Sequence, residues 1–386
     1  MIKMLTACTR EIYFSESVWE DLRLQLDMER GLRRNSVGIV SCAAEFIDSG
    51  FVAAVCARLP FAVAGCTTLS CAARGESGDG LFTLAVLTSD EVRFSSAMTA
   101  PLREGDIEAP IAAACRRAEI SPEKPALVLA FLPMLLSIGV PPMLTALNSV
   151  CRGAPVFGAL SCDGTEDYRD SRVILDGVAE QSVAAFIMAW GDMTPQFFSG
   201  SVSYFEQVQS NYGVITDADN YTLKSVNNMS FLEYCASIGV PPDHFSDTGT
   251  LPLPFMVNYN DGSGSVARAL YSITPEGHAI FAGEMPLGGR IAIYRLNYDG
   301  IVKTTEIFAD SVKAARGSSA LIFSCVMRNL LLGAKPDTEI EKILEILPAD
   351  TSFLFAYAGG ELCPLADESG ALINRSHNFS LIACVF

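Results

Sequence analysis

Short apolar runs recur along the chain and predict buried strands. Val37–Cys42, Ala126–Phe131 and Ala320–Cys325 are nearly continuous in apolar residues, which is typical of strands covered on both faces. Each run precedes a helix-like stretch, a second short run, a turn of small residues and a last run. We therefore predict three related units with the order strand, helix, strand, turn, strand.

The pattern changes between Val202 and Thr304, where short strands are separated by turn residues such as Asp261-Gly262 and Gly288-Gly289. This pattern predicts a β-meander, with a lobe boundary between Phe205 and Ser225. The predicted fold class is α/β (mixed α+β), with layered sheets covered by helices in two lobes. Gly262–Ala267 matches a dinucleotide fingerprint, but another strand follows it, so we expect a hairpin tip.

Composition excludes several classes of function. The 386 residues contain 27 Lys and Arg against 44 Asp and Glu, a net charge of −17, which argues against binding of nucleic acid or anionic membranes. Twelve cysteines are scattered without compact spacing, so we expect reduced thiols and a cytoplasmic location. Residues 125–151 carry no charge, but Pro133, Pro141 and Pro142 predict a strand and a helix there instead of a membrane span.

The small-residue turns are the candidate ligand site, because ligands of α/β folds usually bind at the carboxyl ends of strands. Their backbone N–H groups are expected to reach a ligand. Arg328 needs an anionic partner, which is either Glu361 or a ligand carboxylate. The predicted ligand-binding residues are Gly65, Cys66, Thr67, Thr68, Asp163, Arg328, Gly359, Gly360, Glu361, His377 and Asn378.

Two alternatives remain open. His244 stands in a loop where an imidazole could bind haem, and the turn cysteines Cys66, Cys162 and Cys363 could be redox-active. Cys66 could also be a nucleophile of a hydrolase or transferase with His377 as its base. No complete catalytic constellation is evident, so we expect a protein that is not an enzyme and has no cofactor.

At these turns the sequence resembles the FIST family of sensory proteins. The matching segments after about Asn35 are Val63–Thr68, Pro155–Asp163, Cys325–Arg328, Ala358–Leu362 and His377–Ser380. The resemblance implies a FIST N-terminal domain over residues 31–224 and a FIST C-terminal domain over residues 225–386.

The family resemblance also implies a function. It suggests an intracellular sensor of small molecules, with amino-acid-like or other small anionic ligands, and a haem-based nitric oxide sensor as the alternative. The implied partner is a signalling protein in trans, namely a histidine kinase, a chemoreceptor or a diguanylate cyclase, because no output segment follows Phe386.

Overall fold

The computed structural model describes residues 2–135, 138–165, 167–201, 212–240, 253–294, 296–315 and 317–386. These residues form three related units and a β-lobe that is inserted into the third unit. The mixed α/β class and the repeated units predicted from the sequence are confirmed.

The first unit begins with an edge strand and a helix, and continues through a strand, two short helices, a second strand, a hairpin and a last strand. Its elements are β1 (Lys3–Thr9), α1 (Glu16–Gln25), α2 (Met28–Gly31), β2 (Asn35–Cys42), α3 (Glu45–Asp48), α4 (Phe51–Cys56), β3 (Val63–Thr67), β4 (Cys71–Ala73), β5 (Glu76–Gly78) and β6 (Phe82–Ser89).

The second unit repeats this order with one helix at each helical position. Its elements are β7 (Arg93–Met98), α5 (Glu108–Ala118), β8 (Leu127–Leu132), α6 (Pro141–Val150), β9 (Val156–Leu160), β10 (Val173–Leu175), β11 (Val178–Glu180) and β12 (Ala185–Trp190).

The third unit begins with β13 (Gln196–Gly200), after which the chain enters the β-lobe. The lobe comprises β14 (Gly213–Asp219), β15 (Thr222–Val226), β16 (Met229–Ser230), α7 (Phe231–Ser237), β17 (Phe255–Asn258), β18 (Val266–Arg268), β19 (Leu270–Ile273), β20 (Ala279–Phe281) and β21 (Arg290–Ile293). The unit then resumes with α8 (Tyr298–Lys313), β22 (Ser319–Cys325), α9 (Val326–Leu332), α10 (Thr338–Ile346), β23 (Ser352–Ala358), β24 (Glu361–Ala366), β25 (Leu372–His377) and β26 (Leu381–Val385).

Each unit builds a six-stranded sheet in which two strands come from another unit. The sheet orders are β1-β6-β2-β3-β10-β11, β25-β24-β9-β8-β12-β7 and β13-β26-β22-β23-β4-β5. The hairpin of the second unit thus completes the first sheet, that of the third unit completes the second sheet, and that of the first unit completes the third sheet. This cyclic exchange relates the units by an approximate threefold repeat.

Within each sheet, the two strands that flank the crossover helices are parallel, namely β2 with β3, β8 with β9 and β22 with β23. The last strand of each unit pairs antiparallel with the first of these. β8, β12 and β22 are buried along their whole length, which explains why their sequences are apolar without alternation.

Helix starts follow from local sequence signals. Ser230 caps α7 in a capping box with Glu233, and the Asn297 side chain accepts a hydrogen bond from the Gly300 N–H at the start of α8. α6 begins with Pro141-Pro142, which suits a first turn because proline lacks the amide hydrogen that this turn does not use.

The inner faces of the three sheets share one hydrophobic core. Phe323 of the third sheet stacks near Phe131 and Phe157 of the second, with ring centroids 6.5 Å and 5.7 Å away. The outer faces of the first and second sheets are covered by α1 to α4 and by α5 with α6, respectively. The residues that follow β3, β9 and β23 are largely buried as well.

The β-lobe has its own core, in which Phe231, Phe255 and Phe281 pack with ring centroids 5.0 to 6.0 Å apart. Its strands follow the order β18-β17-β21-β14-β15-β20-β19, with β16 paired to β15. The strands of the predicted meander are present, but β17 lies between β18 and β21, so the order is not that of a simple meander. Gly262 lies in the β17–β18 hairpin, as predicted.

β8 and α6 both lie between residues 125 and 151, as the prolines of this stretch indicate. Among the helices that the structure describes, none has the length and apolar character needed to cross a bilayer. The predicted domain boundary between residues 224 and 225 falls within β15.

Candidate functional site

The turns after β3, β9 and β23 meet at the centre of the three sheets. We call Thr67–Ser70, Leu160–Asp163 and Tyr357–Glu361 together the turn cluster. The Cys162 N–H donates to the Thr67 carbonyl (3.0 Å), the Gly359 N–H to the Leu160 carbonyl (3.0 Å), and the Leu69 N–H to the Tyr357 carbonyl (3.1 Å). These three hydrogen bonds join each unit to another in a closed ring, and they bring together the turns that the sequence analysis singled out.

The backbone donors predicted for a ligand are largely used within the fold. The Thr67 N–H donates to the Arg172 carbonyl (2.9 Å) and the Thr68 N–H to the Cys42 carbonyl (3.0 Å). Gly65 has a packing role, because an added Cβ would lie 1.9 Å from the Val40 carbonyl oxygen. The expectation that these N–H groups face a ligand is therefore wrong for Thr67 and Thr68. It is also wrong for Gly359, because its N–H forms one of the three hydrogen bonds that join the units.

The polar side chains of the first two turns are also engaged. The Thr67 hydroxyl accepts from the Arg172 N–H (2.8 Å), and the Thr68 hydroxyl shares a hydrogen bond of 2.8 Å with Ser41. Asp163 accepts from the Thr165 N–H (2.6 Å) and the Asp170 N–H (2.7 Å). Asp163 therefore shapes the loop that follows it, because its hydrogen bonds to the described residues are made within that loop.

Arg328 forms its ion pair with Glu339, and the predicted pairing with Glu361 is wrong. Its Nε and Nη2 lie 2.8 Å and 2.5 Å from Glu339 Oε1, and both side chains are fully buried. Nη2 also donates to the hydroxyls of Thr304 and Thr305, each at 3.1 Å. A guanidinium so completely occupied serves to join α8, α9 and α10, and it is not available as an anchor for a ligand.

Glu361 is the exceptional residue of the turn cluster. Its side chain is fully buried, and neither carboxylate oxygen has a hydrogen-bond partner among the residues that the structure describes. The Cys325 thiol and the Ser380 N–H lie beside it and favour its charged form, but neither has the geometry of a hydrogen bond. Burial dominates and raises the pKa of Glu361 well above its ordinary value.

His377 and Asn378 lie next to Glu361 but make contacts of their own. His377 pairs with Glu361 across β24 and β25, and its Nε2 lies 2.9 Å from the Cys363 carbonyl, to which it donates. Burial lowers the pKa of His377 to about 4, so the ring is neutral near pH 7. Asn378 Oδ1 accepts from the Ala269 N–H of the lobe at 3.3 Å, which makes Asn378 a link between the lobe and the third unit.

The turn cysteines are poorly suited to nucleophilic or redox chemistry. Cys66, Cys162 and Cys363 are buried, and burial raises the pKa of each thiol, to about 12 for Cys66. A raised pKa disfavours the reactive thiolate. The Nε2 of His377, the proposed base, is already bound to a backbone carbonyl. These features disfavour the Cys66–His377 dyad.

His244 lies outside the described residues, so the haem alternative stays a prediction. Among the residues that are described, no group of three or more His, Cys, Asp or Glu side chains is arranged to hold a metal ion.

Two tyrosines that sequence reasoning missed flank the turn cluster. Tyr168 is half-buried in the loop shaped by Asp163, and Tyr271 on β19 keeps 36% of its surface exposed. Desolvation raises the pKa of Tyr168 to about 12, with smaller contributions from Cys162, Cys325 and Asp163, and it raises the pKa of Tyr271, with contributions from Tyr168 and Cys325. Both phenols are therefore near Cys325. Their contribution depends on how the lobe packs on the core, which local sequence does not reveal.

Two family models match the chain. Residues 36–229 match the FIST N domain, and residues 230–364 match the FIST C domain. The chain matches no curated protein sequence. Since the two matches together span most of the 386 residues, the chain belongs to the FIST family, whose domains are sensory domains of signal-transduction proteins.

Proposed function

We propose that this protein is a non-enzymatic sensor that binds an amino-acid-like metabolite at the turn cluster through Glu361. The observation that carries the proposal is the fully buried carboxyl group, whose two oxygens have no hydrogen-bond partner among the described residues. Leaving a buried polar group without a partner costs about 1 to 3 kcal/mol. A ligand ammonium group would supply the missing donors and offset that cost.

The chemistry of Glu361 favours a cationic group over an anionic one. Because Arg328 is occupied by Glu339, an anionic ligand loses the anchor that the sequence suggested for it. Burial favours the protonated form of Glu361, whereas an ammonium group nearby favours the carboxylate. Binding of an ammonium group is therefore expected to release a proton, and affinity should rise as the pH increases above the ordinary pKa of Glu.

The position of Glu361 also suggests how binding is transmitted. Glu361 lies beside Cys325, the residue at which β22 ends and α9 begins, and Arg328 in the first turn of α9 is bound to Glu339 of α10. A change in the charge or position of Glu361 would thus act on a rigid ion pair that joins three helices. We propose that a cytoplasmic signalling protein in trans, namely a histidine kinase, a chemoreceptor or a cyclic-di-nucleotide enzyme, reads this helical surface.

The proposal is tested by thermal denaturation with a panel of amino acids and biogenic amines. A true ligand at 100 times its dissociation constant adds about 2.7 kcal/mol of stability. Glu361→Gln keeps the shape of the side chain and should abolish this stabilisation. Glu368→Gln is the matched control, because Glu368 is exposed on the same β24–β25 hairpin and should keep it. The assignment would be disproved if a ligand stabilised Glu361→Gln and wild type equally. It would also be disproved if no compound of the panel raised the denaturation temperature of the wild type.

A further inference from the structure

A cavity lies at the junction of the β-lobe and the second sheet, and none of its lining residues belongs to the turn cluster. It is a groove of about 690 Å³, which is within the range of about 300 to 1,000 Å³ usual for small-molecule sites. One wall is formed by the start of α6 and the loop before α5, the floor by β25, and the other wall by loops of the lobe. A ligand in this groove would touch both the lobe and the three-unit core.

Arg268 places a buried positive charge at this groove. Its side chain is only 1% exposed, and its guanidinium donates to neutral oxygens. Nη1 donates to the Ser376 carbonyl (2.7 Å) and the Ala267 carbonyl (3.3 Å), Nε donates weakly to the Glu284 carbonyl (3.5 Å), and Nη2 donates to the Tyr259 hydroxyl. Within the described ranges no carboxylate forms an ion pair with it. A buried cation without a counter-ion is unfavourable, so a bound anion would relieve this cost.

Arg375 brings a second guanidinium to the same groove. It forms an ion pair with Asp261 through Nη2 and stacks on the Tyr259 ring, with its Cζ 3.9 Å from the ring centroid. Its Nε is buried and has no partner among the described residues. Tyr259 thus holds both arginines, one through its hydroxyl and the other through its ring.

The charges around the groove restrict the class of ligand. Asp261 forms an ion pair with Arg375 and neutralises one of the two guanidinium charges, so one positive charge, that of Arg268, is left in the buried part of the groove. The glutamates of the lining, Glu104, Glu108 and Glu284, are exposed at the rim and would repel a second negative charge on the ligand.

The wall formed by the start of α6 is apolar. Ile138 and Leu144 are buried, and Pro141 is half-buried beside them.

We infer that the groove is a second binding site, specific for a small organic monocarboxylate. The carboxylate binds the free N–H groups of Arg375 and Arg268, since a planar guanidinium matches a carboxylate in geometry. The apolar body of the ligand packs against the α6 wall.

The site is tested by calorimetric titration with phenylacetate, with its neutral analogue phenylacetamide and with the dicarboxylate succinate. Phenylacetate should bind saturably, and phenylacetamide and succinate should bind at least about tenfold more weakly. Arg375→Gln should weaken phenylacetate binding about 10- to 100-fold, because it removes a charge-assisted hydrogen bond. Arg290→Gln is the matched control, since Arg290 is an exposed arginine of the lobe outside the groove, and its affinity should stay within about twofold of wild type.

Other outcomes would overturn the inference. Equal binding of phenylacetate and phenylacetamide would show that the groove recognises only the apolar body. If Arg375→Gln bound phenylacetate with unchanged affinity, the arginines would not take part in binding. No binding of phenylacetate, benzoate or butyrate at millimolar concentration would reject it altogether. Glu361→Gln separates this site from the turn cluster, because it should leave phenylacetate affinity unchanged whether or not the sensory proposal holds.

Discussion

Arg328 and Glu339 form a completely buried ion pair at the point where three helices of the third unit meet. Arg328 Nε lies 2.8 Å from Glu339 Oε1, and the Ser324 hydroxyl donates to Glu339 Oε2 at 2.6 Å. Every oxygen of the carboxylate is thus partnered. The pair fixes α9 and α10 relative to the end of β22, where Cys325 lies beside Glu361 of the turn cluster.

Removing one member of this pair should be strongly destabilising. Arg328→Met leaves the Glu339 carboxylate buried without its cation, and the free energy of unfolding is expected to fall by about 3 to 5 kcal/mol. The double variant Arg328→Met/Glu339→Leu removes both charges and should recover most of this loss. Urea denaturation measures both values. A double variant no more stable than the single one would contradict the view that an uncompensated charge causes the loss.

Exposed ion pairs supply the matched control. Arg169 forms contacts of 4.0 Å with Asp167 and Asp170 at the surface. Arg169→Met should change stability by less than about 1 kcal/mol, because solvent screens such pairs.

The protonation of Glu361 should make stability depend on pH in an unusual direction. Its pKa is raised in the folded protein, so the folded state binds more protons than the unfolded state once the pH exceeds the ordinary value of Glu. Stability contributed by this group therefore falls as pH rises. Compared with Glu361→Gln, wild type should lose stability progressively from about pH 4.5 upward. Urea denaturation at several pH values checks this, and a constant difference between the two proteins would refute it.

His377 should have the opposite effect. Its pKa is lowered from 6.5 to about 4 in the folded state, so the unfolded chain binds the extra proton as the pH falls below about 6.5. The fold should lose about 3 kcal/mol between pH 6.5 and pH 4 from this residue. His377→Gln should lack this component in urea denaturation at the same pH values. If wild type and variant lose stability in parallel over that range, His377 is not the group responsible.

The sequence predicted the three units well but not how they combine. Val37–Cys42 and Ala320–Cys325 agree with β2 and β22 within two residues, because continuous apolar runs report burial on both faces. The exchange of hairpins was missed. β4, of three residues, pairs with β23 far along the chain, and local periodicity carries no information about so distant a partner.

The sequence predicted where the candidate site lies better than it predicted what each residue of the site does. The turns containing Thr67, Asp163 and Glu361 do meet, because equivalent strand ends of repeated units converge. The prediction that Arg328 binds Glu361 or a ligand is wrong because its counter-ion is Glu339. Glu339 lies on α10, whose sequence pattern is that of an ordinary amphipathic helix and does not indicate a buried ion pair. Local sequence does not single out Arg268 and Arg375, since their burial at the groove depends on the packing of the lobe against β25.

Two glycines at equivalent positions should be intolerant of any side chain. Gly65 and Gly158 stand opposite Val40 and Ala130 in the parallel pairs of the first two units, and an added Cβ would lie 1.9 Å and 1.8 Å from the facing carbonyl oxygens. Such contacts force the backbone to shift. Gly65→Ala and Gly158→Ala should each lower the free energy of unfolding by about 3 kcal/mol or more.

Gly80 is the matched control for these substitutions, because a Cβ there would meet no atom of the described residues within 4 Å. Gly80→Ala should change stability by less than about 0.5 kcal/mol in the same urea titration. The third unit has Phe355 at the equivalent position, opposite Ile322, so the close approach is confined to the first two units. If Gly65→Ala and Gly158→Ala were as mild as Gly80→Ala, those two strand pairs would have to be more widely spaced than the structure shows.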